Sequence, residues 1–113
     1  MTVNHATFLD GLPRPALVAM IHVAALPGTP RSTQRVCDIA AAAVDEAKLL
    51  ADGGVDAIAL ENMHDLPYLN RRVGPEITAA MTAVCAAVRQ AVTLPLGVQV
   101  LAGANRAAIA VAH

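Results

Sequence analysis

The same short pattern comes three times along this chain: an apolar run that ends in polar residues, followed by a stretch with helical periodicity. The runs are Ala16 to Val23, Val55 to Asn62 and Leu96 to Leu101, and their starts lie about 40 residues apart. Near-continuous apolar strands separated by helices predict a parallel sheet covered on both faces. Parallel strands joined by helical crossovers put all their carboxyl ends on one rim. The expected fold is therefore α/β, part of a (β/α)8 barrel with about three parallel strands and intervening helices, and His22, Glu61, Asn62 and Gln99 should meet on its rim.

A whole barrel of this type takes about 250 residues, and the chain has 113. The expectation is one domain, residues 1–113, forming the N-terminal part of a barrel in truncated form. Only Asn105 to His113 are left for a third helix, short of the about 10 to 14 residues of an average one. Hydrophobic residues make up 56% of the chain, a level that suits elements meant to be covered by further neighbours. Three strands alone leave a bare parallel edge, which weakens an isolated unit.

Composition also narrows the partners. A net charge of −1 and an aromatic content of 2% argue against a nucleic-acid surface, which needs clustered Lys and Arg with stacking rings. The longest uncharged stretch, Gln90 to Asn105, is broken by Pro95, Gly97 and Gly103 and falls short of the roughly 18 apolar residues of a membrane span. Arg14 followed by Ala16 to Leu26 has the outline of a secretory signal, but Asp10 precedes it and His22 interrupts it. A cytoplasmic location is expected, with a small molecule or a protein as partner. Cys37 and Cys85 lie in Ala/Val/Ile-rich helical stretches and read as buried free thiols.

Helix signals fall between the strands. Asn4 to Gly11 has the form of a short leading helix ahead of Pro13 and Pro15. Ser32 or Thr33 is the expected cap of the first long helix, whose stripe runs through Val36, Ile39, Ala40, Ala43, Val44, Ala47 and Leu50. Gly53-Gly54 stops it. The second long helix starts at Pro75, with Glu76 beside the positive end of its dipole, and presents Ile77, Met81, Val84, Val88 and Val92 on one side.

The chemistry-bearing residues gather just past the second strand, where Glu61, Asn62, His64 and Asp65 offer acid/base groups on the rim that barrel enzymes use. Glu61 is the sharpest candidate, because it closes a strand among apolar neighbours; the alternative is that it pairs with an Arg on a neighbouring strand. His22 is a base or ligand at the mouth, or else a hydrogen-bonded core histidine. Gln99 is the matching polar residue on the third strand. His64 stands three residues after Glu61, a spacing that serves a metal only when a helix holds both on one face, so no metal is expected. Asp65 suits the turn before Pro67. Leu26 to Pro30 is a rim loop without the repeated glycines and lysine of a P-loop.

Three ordered blocks, MIHVAALPGTP from Met20 to Pro30, GVDAI from Gly54 leading into ENMHDLPY from Glu61 to Tyr68, and VGPEITAAMT from Val73 to Thr82, together resemble the BtpA/SgcQ family. The resemblance runs from about Pro15 to the C-terminus and implies a TIM-barrel-like fold of roughly twice this length, grouped with ribulose-phosphate-binding barrels. The family's cyanobacterial namesake is linked to photosystem I biogenesis at the thylakoid surface, and bacterial relatives are named as nucleosidases or sugar-metabolism proteins. Two functional readings follow: a protein peripheral to a membrane complex whose biogenesis it serves, or a barrel enzyme acting on a phosphorylated sugar or nucleoside-type molecule. Full-length relatives are expected to be homo-oligomers; which cofactor, if any, they use is left open by the resemblance. The candidate catalytic residues are His22, Glu61, Asn62 and Asp65. Many relatives carry an Arg-Asn-Asp stretch after the third strand, where this chain has Ala102 to Asn105, which leaves Gln99 and Asn105 as the candidate substrate-binding residues.

Overall fold

The computed structural model describes residues 11–12, 15–27, 29–62, 74–101 and 104–113. Its elements alternate along the chain: β1 (Val18–His22), α1 (Val36–Asp52), β2 (Ala57–Glu61), α2 (Pro75–Ala91), β3 (Leu96–Gln99) and α3 (Asn105–Ala112). The three strands form one parallel sheet in the order β1-β2-β3. A sheet laid down in sequential order, with its helices on one side, winds as a barrel wall does, whereas an open doubly wound sheet reverses direction at a switch point.

The two faces of this sheet differ sharply. Ile21, Val23, Ile58, Leu60 and Val100 are buried and join one core with Ile39, Ala43 and Ala47 of α1 and Ile77, Met81, Val84 and Val88 of α2. On the other face Val18 and Met20 are 51% and 39% exposed, and Gly97 is exposed too. Among the described residues helices cover one face of the sheet and leave the other open, as three strands of a longer barrel wall would. The apolar character of the open face comes from its lower rows, Val18, Met20, Ala57 and Ala59, while its top row is polar.

Most helix expectations hold, and the departures have local causes. The cap of α1 is Arg35 rather than Ser32 or Thr33: the chain turns at Ser32, whose N–H donates to the Thr29 carbonyl at 3.1 Å, and the helix begins only at Val36. Arg35 donates its Nε–H to Asp38 at 3.2 Å, placing an acid in the first turn where the dipole favours it. Gly53 caps the other end of α1, and Gly54, at φ 89°, makes the left-handed step that frees β2 to begin. Beyond β3 the short remainder does form a helix, α3, because it packs on α2 and β3 and does not rely on its own length. At the far end of α2, Arg89 donates to the Val92 and Leu94 carbonyls at 2.7 and 2.8 Å and so fixes the turn into β3. The leading helix proposed for Asn4 to Gly11 falls outside the described residues except for Gly11, which lies in a turn.

The two cysteines part company. Cys85 is buried on α2. Cys37 is exposed, since it precedes Ile39 by two positions and so stands about 200° around α1 from the stripe Ile39, Ala43, Ala47. Burial pushes the Cys85 thiol up from 9.0 to about 11. At pH 8 only about one Cys85 in a thousand is then thiolate, the form that alkylates. Iodoacetamide at that pH is expected to modify Cys37 in the folded protein and Cys85 only as the chain unfolds, read by mass spectrometry of the two peptides; equal rates would contradict the packing of α2. The folded state holds this proton more tightly than the unfolded chain, so the contribution is intact below pH 9.0 and lost as pH rises toward about 11.

Candidate functional site

Register decides which polar residues meet. His22 pairs with Glu61 across β1 and β2, and Glu61 pairs with Gln99 across β2 and β3. Directly paired residues of a parallel sheet send their side chains to the same face, so all three stand in one row along the carboxyl edge. The row lies on the face that the helices leave open. A hydrogen bond from the Val23 N–H to the Glu61 carbonyl, 2.8 Å, carries the β1–β2 ladder one step past His22 and holds the row's backbone in line.

Within the row, His22 Nε2 lies 3.5 Å from Glu61 Oε2. The imidazole is 45% exposed and the carboxylate 13%, so Glu61 is the more enclosed member although it faces the open side. Among the described residues Glu61 pairs with a histidine of the neighbouring strand rather than with an arginine. An imidazole beside a carboxylate can take a proton, hold it and return it to a third group within reach of both. Gln99 adds an exposed amide that both donates and accepts. Beneath the row, on the same face, come Met20, Ala59 and Gly97.

Asn62 stands apart from the row. Strand alternation turns it to the helix-covered face, where it is 1% exposed and its Oδ1 accepts the Leu101 N–H at 2.6 Å. It therefore ties the end of β2 to the chain leaving β3. Asn105 is exposed as the first residue of α3. His64 and Asp65 lie outside the described residues. Among the described residues, no three of His, Cys, Asp and Glu come together as a metal site would require.

Two residues that sequence reading left unremarked help to position the row. Asp56 Oδ2 accepts the Leu17 N–H at 2.7 Å while the Leu17 carbonyl accepts the Asp56 N–H at 2.9 Å, a clamp that sets the β1–β2 register from the opposite end. The signal was available as an acid at the start of an otherwise apolar run. Arg89, just before the end of α2, does the same for β3. Two cavities among the described residues lie elsewhere: one of about 280 Å³ is lined by Cys85, Arg89, Val98 and His113, and another of about 440 Å³ by Lys48, Asp52 and Thr93. Both are on the helix side, away from the polar row.

Comparison with known proteins gives a consistent family. The model of the BtpA family matches residues 14–113. An uncharacterized mitochondrial protein of Caenorhabditis elegans is 39% identical over 105 residues, covering 88% of this chain and 38% of that protein. The photosystem I biogenesis protein BtpA of Synechocystis is 33% identical over 96 residues, 85% of this chain and 33% of that one. The sgc region protein SgcQ of Escherichia coli is 39% identical over 88 residues, 76% of this chain and 32% of that one. The chain thus spans about a third of the length of these curated relatives. No solved structure matches it.

Proposed function

The chain belongs to the BtpA family, and from that premise we propose that it supplies the first three strand-helix units of a barrel whose rim binds and transforms a small molecule of the sugar or nucleoside class. The observation that carries this reading is the His22–Glu61 pair at 3.5 Å, in register with Gln99 on the carboxyl edge of a parallel sheet. Barrel enzymes keep their chemistry on that edge. Glu61 acts as the acid/base, His22 shares its proton, and Gln99 orients the ligand, with Asn105 at the start of α3 as a further ligand contact; Asp65, outside the described residues, stays a candidate on sequence alone.

Removing the Glu61 charge with its shape kept is the direct test. General acid/base groups contribute about 10²- to 10⁴-fold to rate, so Glu61→Gln is expected to lower turnover at least about 100-fold while the thermal midpoint stays put. The assay takes this protein and the matching position of the longer Synechocystis relative through a panel of sugars, sugar phosphates and nucleosides. Unchanged turnover of every substrate that wild type accepts rejects the reading.

A second reading rests on one relative's name. The Synechocystis protein is called a photosystem I biogenesis protein, which supports a role for this chain in assembling a membrane complex, as a cytoplasmic protein peripheral to the membrane. Among the described residues no helix is long and apolar enough to cross a membrane. Co-sedimentation with membrane-complex subunits favours this role, and recovery of the protein free of any membrane protein counts against it.

A further inference from the structure

The open face of the sheet holds a glycine that the backbone does not need. Gly97 is the second residue of β3 and pairs with Ala59 of β2, one row below Glu61 and Gln99. It has no positive φ, and a Cβ built on it would meet nothing nearer than the Ala59 Cβ at 3.8 Å, an ordinary contact. Among the described residues, neither strain nor crowding asks for glycine. A glycine inside a strand nonetheless weakens it, by roughly 0.5–1 kcal/mol relative to alanine. Glycines of this kind mark places where a ligand or another backbone comes close.

The neighbours shape the space. Ala59 is as small as a side chain can be, while Met20, on the other side of Ala59, is long and 39% exposed. The floor therefore steps down from β1 to β3. Among the described residues this puts low side chains over β2 and β3, between Met20 and the polar row above.

The geometry points to Gly97 as the residue that sets the size of the ligand held at this rim, and to a neutral polyhydroxylated molecule, a sugar or sugar alcohol, as that ligand. This deepens the small-molecule reading above and rests on it. The chemistry follows from the groups present. A carboxylate accepts two hydroxyls, the amide of Gln99 accepts one and donates to another, and the imidazole of His22 does either according to its tautomer. The C–H side of a sugar fits the apolar floor of Met20 and Ala59. The row carries a formal charge of −1 with His22 neutral and none with it protonated, so it offers no net positive charge to an anionic group seated directly upon it.

The test titrates this protein with D-ribose, glycerol and inorganic phosphate, following the Gln99 side-chain amide by ¹H–¹⁵N NMR in wild type, Gly97→Ala and Gly97→Val. D-Ribose is expected to shift that amide in wild type, and Gly97→Val to weaken its apparent affinity at least tenfold, Gly97→Ala less. Thermal midpoints should hold or rise in both variants. Equal affinity in all three overturns the role of Gly97 and leaves the rim site standing, as does a fall in midpoint that tracks side-chain size. A response to phosphate in place of ribose overturns the polyol assignment alone. If no probe moves Gln99, the polyol assignment fails, and the Glu61→Gln assay then decides whether the small-molecule reading fails with it.

Discussion

Leu60→Ala is expected to destabilise the protein by about 3 kcal/mol, the middle of the range for a fully buried leucine. Leu60 is 0% exposed, lies in the central strand, and pairs with Ile21 on one side and Val98 on the other. Its side chain is on the helix-covered face, where it belongs to the single core shared with α1 and α2. A domain of this size holds only about 5–15 kcal/mol in all, so one truncation removes a large part of it. Urea unfolding checks the result: the midpoint should fall with the slope unchanged. Met20→Ala supplies the contrast, since it removes a larger side chain from the open face, where Met20 is 39% exposed, and should cost under about 1 kcal/mol. If the two variants lost equal stability, the asymmetry between the faces would be wrong.

That asymmetry was only half legible in the sequence. Near-continuous apolar strands imply cover on both sides; the described helices supply it on one, and Val18, Met20 and Ala59 line the other. Apolar character says that a residue suits burial; it does not say which neighbour buries it. Element order and type were read from periodicity, and the strand ends that carry His22, Glu61 and Gln99 were placed on one edge by chain direction alone. Their mutual register needed coordinates, because it depends on the Asp56–Leu17 clamp, a bond across 39 positions of chain that no local pattern encodes. The start of α1 differs for a local reason: Ser32 is taken up in a turn closed by the Thr29 carbonyl, and the helix begins beyond it at Val36.

Asn62 shows how the same alternation separates a candidate from its neighbours. Ile58, Leu60 and Asn62 follow one another at intervals of two, so a strand that buries the first two against the helices turns the third the same way. Asn62 was grouped with Glu61 because the two are adjacent in sequence, but adjacency in a strand means opposite faces. In the structure its Oδ1 accepts the Leu101 N–H at 2.6 Å, across 39 positions of chain.

Asn62→Ala is therefore expected to act first on stability. It leaves the Leu101 N–H without this acceptor and empties a site that is 1% exposed, which together cost about 2–3 kcal/mol. Hydrogen exchange locates the damage: the Leu101 amide should exchange much faster in the variant, beyond the general acceleration that lost stability gives to every amide. Since Leu101 follows Gln99 by two residues, release of this bond also loosens the end of β3, and any effect on a ligand at the rim should appear as weakened binding through Gln99. Glu61→Gln makes the opposite expectation, a lost rate with stability kept, because its carboxylate faces the open side next to His22. Should Asn62→Ala leave both stability and the Leu101 exchange rate untouched while abolishing turnover, Asn62 would belong with Glu61 in the chemistry, and the division of labour drawn from strand alternation would fall.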